Sequence, residues 1–179
     1  MPQAVAHILF PLIIMSLIRD YYIDKKGRKS FPLRYVLIAG IAGIIPDLDV
    51  AAFWVLSFAG VAFNEVHRTF LHTLFIPIIF LFLSLFLSMD KFSSSNNKFK
   101  WNMVFAMLAF GSATHILLDG IFTGQLMVFY PLSYMTSGLD LFGYLPGKLA
   151  KLAAPCLDAL LFVIYMVYLE VKHKISDFI

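Results

Sequence analysis

Apolar residues in this chain are gathered into five long stretches, at roughly residues 3–18, 35–63, 69–89, 101–118 and 152–169. With 60% hydrophobic and 14% charged residues, a 179-residue chain lacks the polar shell that folding in water demands. Lipid is the expected solvent. The expected fold is all-α, one domain over residues 1–179, an integral membrane bundle of about five transmembrane helices. The stretch at 69–89 carries no charge and is long enough to cross a hydrocarbon layer of roughly 30 Å. The stretch at 35–63 would be about 44 Å long as one helix. Pro46-Asp47-Leu48-Asp49 interrupts it, so one pass broken at Pro46 is expected, with a tail lying at or re-entering the interface. The first stretch contains Pro11 and has no basic residue before Arg19, which reads as a retained helix rather than a cleaved signal peptide. Ser93-Ser94-Ser95-Asn96-Asn97 reads as a solvated loop, and no internal repeat is visible.

The basic residues lie in short loops between apolar runs, not in a patch or stripe, so no nucleic-acid partner is expected despite a pI near 9.0. If the five stretches alternate, Arg19, Lys25, Lys26, Arg28, Lys29, Arg34, Lys91, Lys98, Lys100, Lys172 and Lys174 fall on one side. The other receives Arg68, Lys148 and Lys151, a split of eleven to three. Lys and Arg are enriched on the cytoplasmic side, which places the N-terminus outside and the C-terminus in the cytoplasm.

Ionisable groups inside membrane segments are costly and point to function. Cys156 is the only cysteine, so metal ligands must be His or carboxylate. His115 and Asp119 are four apart and share a helical face. His67 and His72 are five apart, about 140° around an ideal helix, and can share a site only if His67 precedes the helix start. Asp47 and Asp49 would make an expensive turn cap after Pro46 unless a cation offset their burial. At 1.5 Å per residue, His7 lies roughly 18 Å from Arg19, Asp47 roughly 20 Å from Arg34, His72 roughly 27 Å from Lys91 and His115 roughly 22 Å from Lys100. His7, Asp47, Asp49, His67, His72, His115 and Asp119 are thus expected in one outer layer as metal ligands. Imidazole and carboxylate donors suit Zn²⁺ or a similar divalent ion, and seven of them exceed one tetrahedral shell, so two or more ions or a populated outer shell are expected. Two other polar groups read differently: Asp158, three residues after Pro155, as a first-turn helix cap, and His173, in the polar tail, as solvated.

These motifs resemble those of the YdjM-like family of membrane-bound, metal-dependent hydrolases. The resemblance rests on His7, Pro46-Asp47-Leu48-Asp49, His67-Arg68 with His72, and His115 with Asp119, continuing through Thr123, Gly124 and Pro131. Thr69 and Thr73 stand where family members often carry Gly and Ser; neither removes a ligand. A more distant similarity is to the zinc-dependent phospholipase C and P1 nuclease group. It implies phosphoester hydrolysis, and a cluster within roughly 10 Å of the outer interface, where head groups lie, leads to the expectation of a membrane lipid or lipid-linked substrate. In this reading Asp47 or Asp49 serves as general base, Arg68 stabilises developing negative charge, and Glu65 is a lesser candidate. The exposed part of the 120–151 connection would put Phe122, Leu126, Met127, Val128, Phe129 and Tyr130 in the interface, with Thr123 and Gln125 facing head groups. Two other classes also bury His and Asp in helices: a metal or proton transporter, whose site would sit near the midplane between repeats, and a scaffold with a closed structural metal site.

Overall fold

A computed structural model describes residues 4–27, 30–89 and 100–178, without the side chains of residues 64, 65, 177 and 178. The expectations for Ser93 to Asn97, for the Glu65 side chain and for Arg28, Lys29, Lys91 and Lys98 lie outside what is described. Among the described residues the regular structure is helical: α1 Ala4–Lys26, α2 Leu33–Ala42, α3 Asp49–Leu56, α4 Phe63–Val66, α5 Phe75–Ser88, α6 Trp101–Phe122 and α7 Gly147–His173. Short 3-10 turns lie at Pro46–Leu48, Ser57–Ala59 and Ile175–Phe178.

Three helices, α1, α6 and α7, are long and apolar enough to cross a membrane. A fourth span arises if α2 and the segment Pro46–Ala59 count as one path bent by 50°. The bend falls at Pro46, where the missing N–H and the ring end regular helix. The expectation of about five spans meets its difference at α5. This helix has 14 residues instead of the whole 69–89 stretch, because residues 67–74 run as turns that spend their backbone and side chains on the site. At 1.5 Å per residue α5 covers about 21 Å.

The apolar core lies toward one end of the bundle, where Leu12 and Met15 of α1, Tyr35 and Val36 of α2, and Val104 and Met107 of α6 pack together. Toward the other end the same three elements approach more closely. A Cβ built on Gly43 would come within 1.9 Å of the His7 carbonyl oxygen, and one on Gly111 within 2.4 Å of the Ala39 carbonyl. Small residues let membrane helices meet backbone to backbone. Pro11 contributes too, since it lacks the N–H that would otherwise bond to the His7 carbonyl inside α1.

After α6 the chain folds back as an irregular cover. Leu139 N–H donates to Gly120 C=O at 2.7 Å, Leu141 to Ile121 at 3.0 Å and Phe142 to Phe122 at 2.9 Å, so the loop satisfies the carbonyls that end α6. Leu126 pairs with Ser137 and is fully buried, so it does not take the interfacial place expected of it, and Thr123 Oγ1 accepts from Arg68. Helix α7 packs along α1 and otherwise faces outward. Asp158 is not in its first turn, because α7 begins at Gly147 and runs through Pro155. Its Oδ1 accepts from Ala6 N–H at 2.9 Å, capping the start of α1 from a neighbouring helix. His173 is not simply solvated: its Nε2 lies 3.5 Å from Asp20 Oδ2 and 3.4 Å from the Tyr168 hydroxyl.

Candidate metal centre

The seven residues expected to converge do so, from four separate parts of the chain. α1 brings His7 within its first turns, the bend at Pro46 brings Asp47 and Asp49, the turns at 67–74 bring His67 and His72, and α6 brings His115 and Asp119. They form three overlapping groups, His7 with His115 and Asp119, Asp47 with His72 and His115, and Asp49 with His67 and His72, each with donor atoms within 4.8 Å of one another. Both His67 and His72 precede α5, so the awkward five-residue spacing is resolved by turns rather than by a helix face. Arg68 adopts a left-handed backbone, φ 64°, which reverses the chain between the two histidines.

Four donor atoms gather about the paired Nε2 atoms of His72 and His115. His72 Nε2 and His115 Nε2 are 3.2 Å apart, and Asp47 Oδ1 is 3.4 Å from the first and 3.6 Å from the second. Asp119 Oδ2 is 3.8 Å from both. Donors held 2.0–2.1 Å from a tetrahedral Zn²⁺ sit roughly 3.3 Å from one another, so the spacings of His72, His115 and Asp47 fit one divalent ion, with Asp119 3.8 Å from both imidazole nitrogens. The proton positions point the same way. His115 Nδ1 lies 2.6 Å from Gly43 C=O, and a carbonyl can only accept, so Nδ1 carries the proton and Nε2 presents a lone pair. His72 Nδ1 lies 3.0 Å from Asp49 Oδ2, though too obliquely for a full hydrogen bond. With its proton on that side, the Nε2 lone pair of His72 also faces the centre. In that tautomer the two lone pairs, 3.2 Å apart in a buried site, would repel each other and a cation between them would turn the repulsion into coordination, whereas a proton on His72 Nε2 makes the contact a hydrogen bond.

The other three residues hold this centre in place. Asp49 accepts from His67 Nδ1 at 2.9 Å and from Arg68 N–H at 3.0 Å, and His72 Nδ1 lies 3.0 Å from its Oδ2. A carboxylate so engaged orients imidazoles and raises their basicity. His67 stacks on Phe63, ring centroids 4.8 Å apart. His7 stacks on His115 at 3.8 Å and places Nε2 3.3 Å from Asp119 Oδ1. His7 Nδ1 is buried without a hydrogen-bond partner among the described residues. Asp119 therefore faces the four-donor centre with one oxygen and His7 with the other. Arg68 reaches over the cluster: Nε lies 3.9 Å from Asp119 Oδ2 and Nη2 donates to Thr123 Oγ1 at 3.0 Å. The side chains of Asp47 and Arg68 are 21% and 25% exposed while His72 and His115 are fully buried, so the cluster opens on the Asp47 and Arg68 side.

Three supporting groups escaped the sequence reading. Gly43 fixes the His115 tautomer through its carbonyl, Phe63 is the platform for His67, and Asp158 anchors the α1 end that carries His7. Only Phe63 left a legible signal, four residues before His67; the contacts of Gly43 and Asp158 span 72 and 152 residues.

The sequence model of one family, described as YdjM inner membrane protein, matches residues 1–174. No curated protein and no solved structure matches the chain, so the similarity to the zinc-dependent phospholipase C and P1 nuclease group gains no support.

Proposed function

The chain belongs to the YdjM inner membrane protein family, and on that premise we propose that this integral membrane protein is a metal-dependent hydrolase cleaving a phosphoester of a lipid or lipid-linked substrate. The observation that carries this reading is the four-donor centre, open on one side to an arginine. His72, His115, Asp47 and Asp119 would hold one divalent ion, which we take to be Zn²⁺. The His7 and Asp119 pair is where a second would sit. Such an ion supplies Lewis acidity and lowers the pKa of a bound water to roughly 7. Asp47, the accessible carboxylate, serves as general base through its second oxygen. Asp49, closed in by His67, His72 and Arg68, is assigned to orientation. Water oxygen forms the new bond to phosphorus, the bond from phosphorus to the leaving oxygen breaks, and that oxygen takes up a proton. Arg68, always charged and planar, stabilises the negative charge that grows on the phosphoryl oxygens.

A lipid substrate is favoured by exposed aromatic and aliphatic residues on the segments that follow the bend and α6. Trp54 and Phe58 beyond the bend, and Leu132, Tyr134, Met135 and Tyr144 on the loop after α6, are 68% to 93% exposed, the amphipathic mixture that lodges at a membrane interface. We count α5 as a fifth, short crossing, which puts the N-terminus and the site outside and the C-terminus in the cytoplasm. With Cys156 replaced by Ser, a cysteine at Ser30 should be reached by an impermeant thiol reagent only from inside and one at Ser133 only from outside. The reverse pattern inverts the topology. For the activity, Zn²⁺-loaded protein in liposomes should release product from lipid phosphoesters and stop when a chelator is added. Turnover of soluble peptides alone, or of nothing, refutes the reading.

A further inference from the structure

Beside the metal centre lies a cavity of about 400 Å³ whose walls include Arg68, Thr123, Asp140, Phe142, Lys151 and Pro155. Arg68 is the partition: its Nε lies 3.9 Å from Asp119 Oδ2 on one side, and on the other its Nη2 bonds Thr123 Oγ1 in the cavity wall. Of the three basic residues that alternation assigns to this end, Arg68 and Lys151 line the cavity and Lys148 does not. Lys151 makes no ion pair among the described residues. Asp140, the one acid in the wall, has Oδ1 within 3.3 Å of Gly143 N–H and its carboxyl packed over that glycine, which commits it to its own turn. Two cations, one of them unpaired, define a pocket for an anion, and the Thr123 hydroxyl, which donates to Asp119 C=O at 2.9 Å, holds Arg68 in its wall. The pocket is separate from the metal but shares a residue with it.

We propose that this cavity is the head-group subsite, and that it takes a second phosphate, so that the preferred ligand is a lipid diphosphate rather than a lipid with an uncharged or amine head group. This deepens the hydrolase reading and rests on it for the place of the scissile phosphate beside Arg68. The pocket's own preference is set by Lys151 and needs no metal.

The test is binding, read by native mass spectrometry of the full chain in detergent. The Asp47→Asn variant is used so that turnover is abolished, and chelator-treated unmutated protein is measured beside it. The probes are geranylgeranyl diphosphate, geranylgeranyl monophosphate and phosphatidylethanolamine. The diphosphate should bind about tenfold more tightly than the monophosphate, the step expected of one added charge-assisted hydrogen-bonding group. Lys151→Gln should erase that preference while changing monophosphate binding less than about twofold. Lys148→Gln should change neither. Equal binding of mono- and diphosphate, preference for phosphatidylethanolamine, or equal effects of Lys148→Gln and Lys151→Gln overturns the proposal. A lipid diphosphate preference that depends on Lys151, with no metal-dependent turnover in the native protein, retains the subsite and removes the hydrolase reading. Turnover without the preference does the opposite.

Discussion

Histidine and aspartate meet at both ends of this bundle, and the two meetings differ in how their polar atoms are satisfied. At the end distant from the candidate centre, the Tyr168 hydroxyl donates to Asp20 Oδ2 at 2.6 Å, His173 Nε2 lies 3.5 Å away, and Arg19 approaches the other oxygen at 3.6 Å. Every acceptor faces a donor. At the candidate centre, by contrast, imidazole nitrogens and carboxylate oxygens crowd together, and among the described residues His7 Nδ1, His72 Nδ1, Arg68 Nε and Asp119 Oδ1 are buried without hydrogen-bond partners. Burial of such groups costs several kcal/mol unless something compensates it. What marks a metal centre is therefore the mismatch of donors and acceptors. A count of His and Asp residues would not separate the two ends.

Substitutions at each end can break or sharpen this contrast. The largest effect is expected from His115→Ala and Asp119→Ala, which remove a donor from the four-atom shell. Metal content after chelator-free purification and Zn²⁺ loading should fall from about one equivalent to below about a tenth, while His173→Ala keeps it. Full metal content in His115→Ala would erase the distinction between the ends. Asp49→Asn should act more gently, because it loosens the orientation of His67 and His72 without deleting a donor. Zn²⁺ affinity, titrated against a competing chelator, should weaken roughly 10- to 100-fold. A loss as complete as that of Asp119→Ala would make Asp49 a ligand.

Smaller effects are expected where the hydrogen bonds close on themselves. A double-mutant cycle between Asp20→Asn and Tyr168→Phe should give a coupling of about 0.6 to 1.7 kcal/mol in unfolding from mixed micelles, with metal content unchanged. Metal loss from either variant would tie the two ends together. Asp158→Ala should cost about 1 kcal/mol through the lost cap on Ala6, read as a lowered thermal midpoint, and leave at least most of the metal bound. Complete metal loss there would place Asp158 in the site.

The sequence by itself determined the solvent and the layer in which the costly residues gather. Apolar runs too long for any soluble core specified membrane helices, Pro46 specified where one of them breaks, and costly ionisable residues at similar depths specified that His7, Asp47, Asp49, His67, His72, His115 and Asp119 belong to one layer. All of these follow from local periodicity, rise per residue and transfer cost, which a linear reading contains. How the seven are arranged about one another is visible only in tertiary contacts. Asp47 and Asp49 look equivalent two residues apart, yet one presents an oxygen to His72 and His115 while the other is enclosed by His67, His72 and the Arg68 amide. The shortening of α5 has the same origin, since residues 67–74 leave the helix to deliver side chains to partners on α3 and α6. Asp158 read as a cap of its own helix and is the cap of another. Hydrogen bonds between groups far apart in the chain depend on how closely helices approach, and here that approach is set by the missing side chains of Gly43 and Gly111.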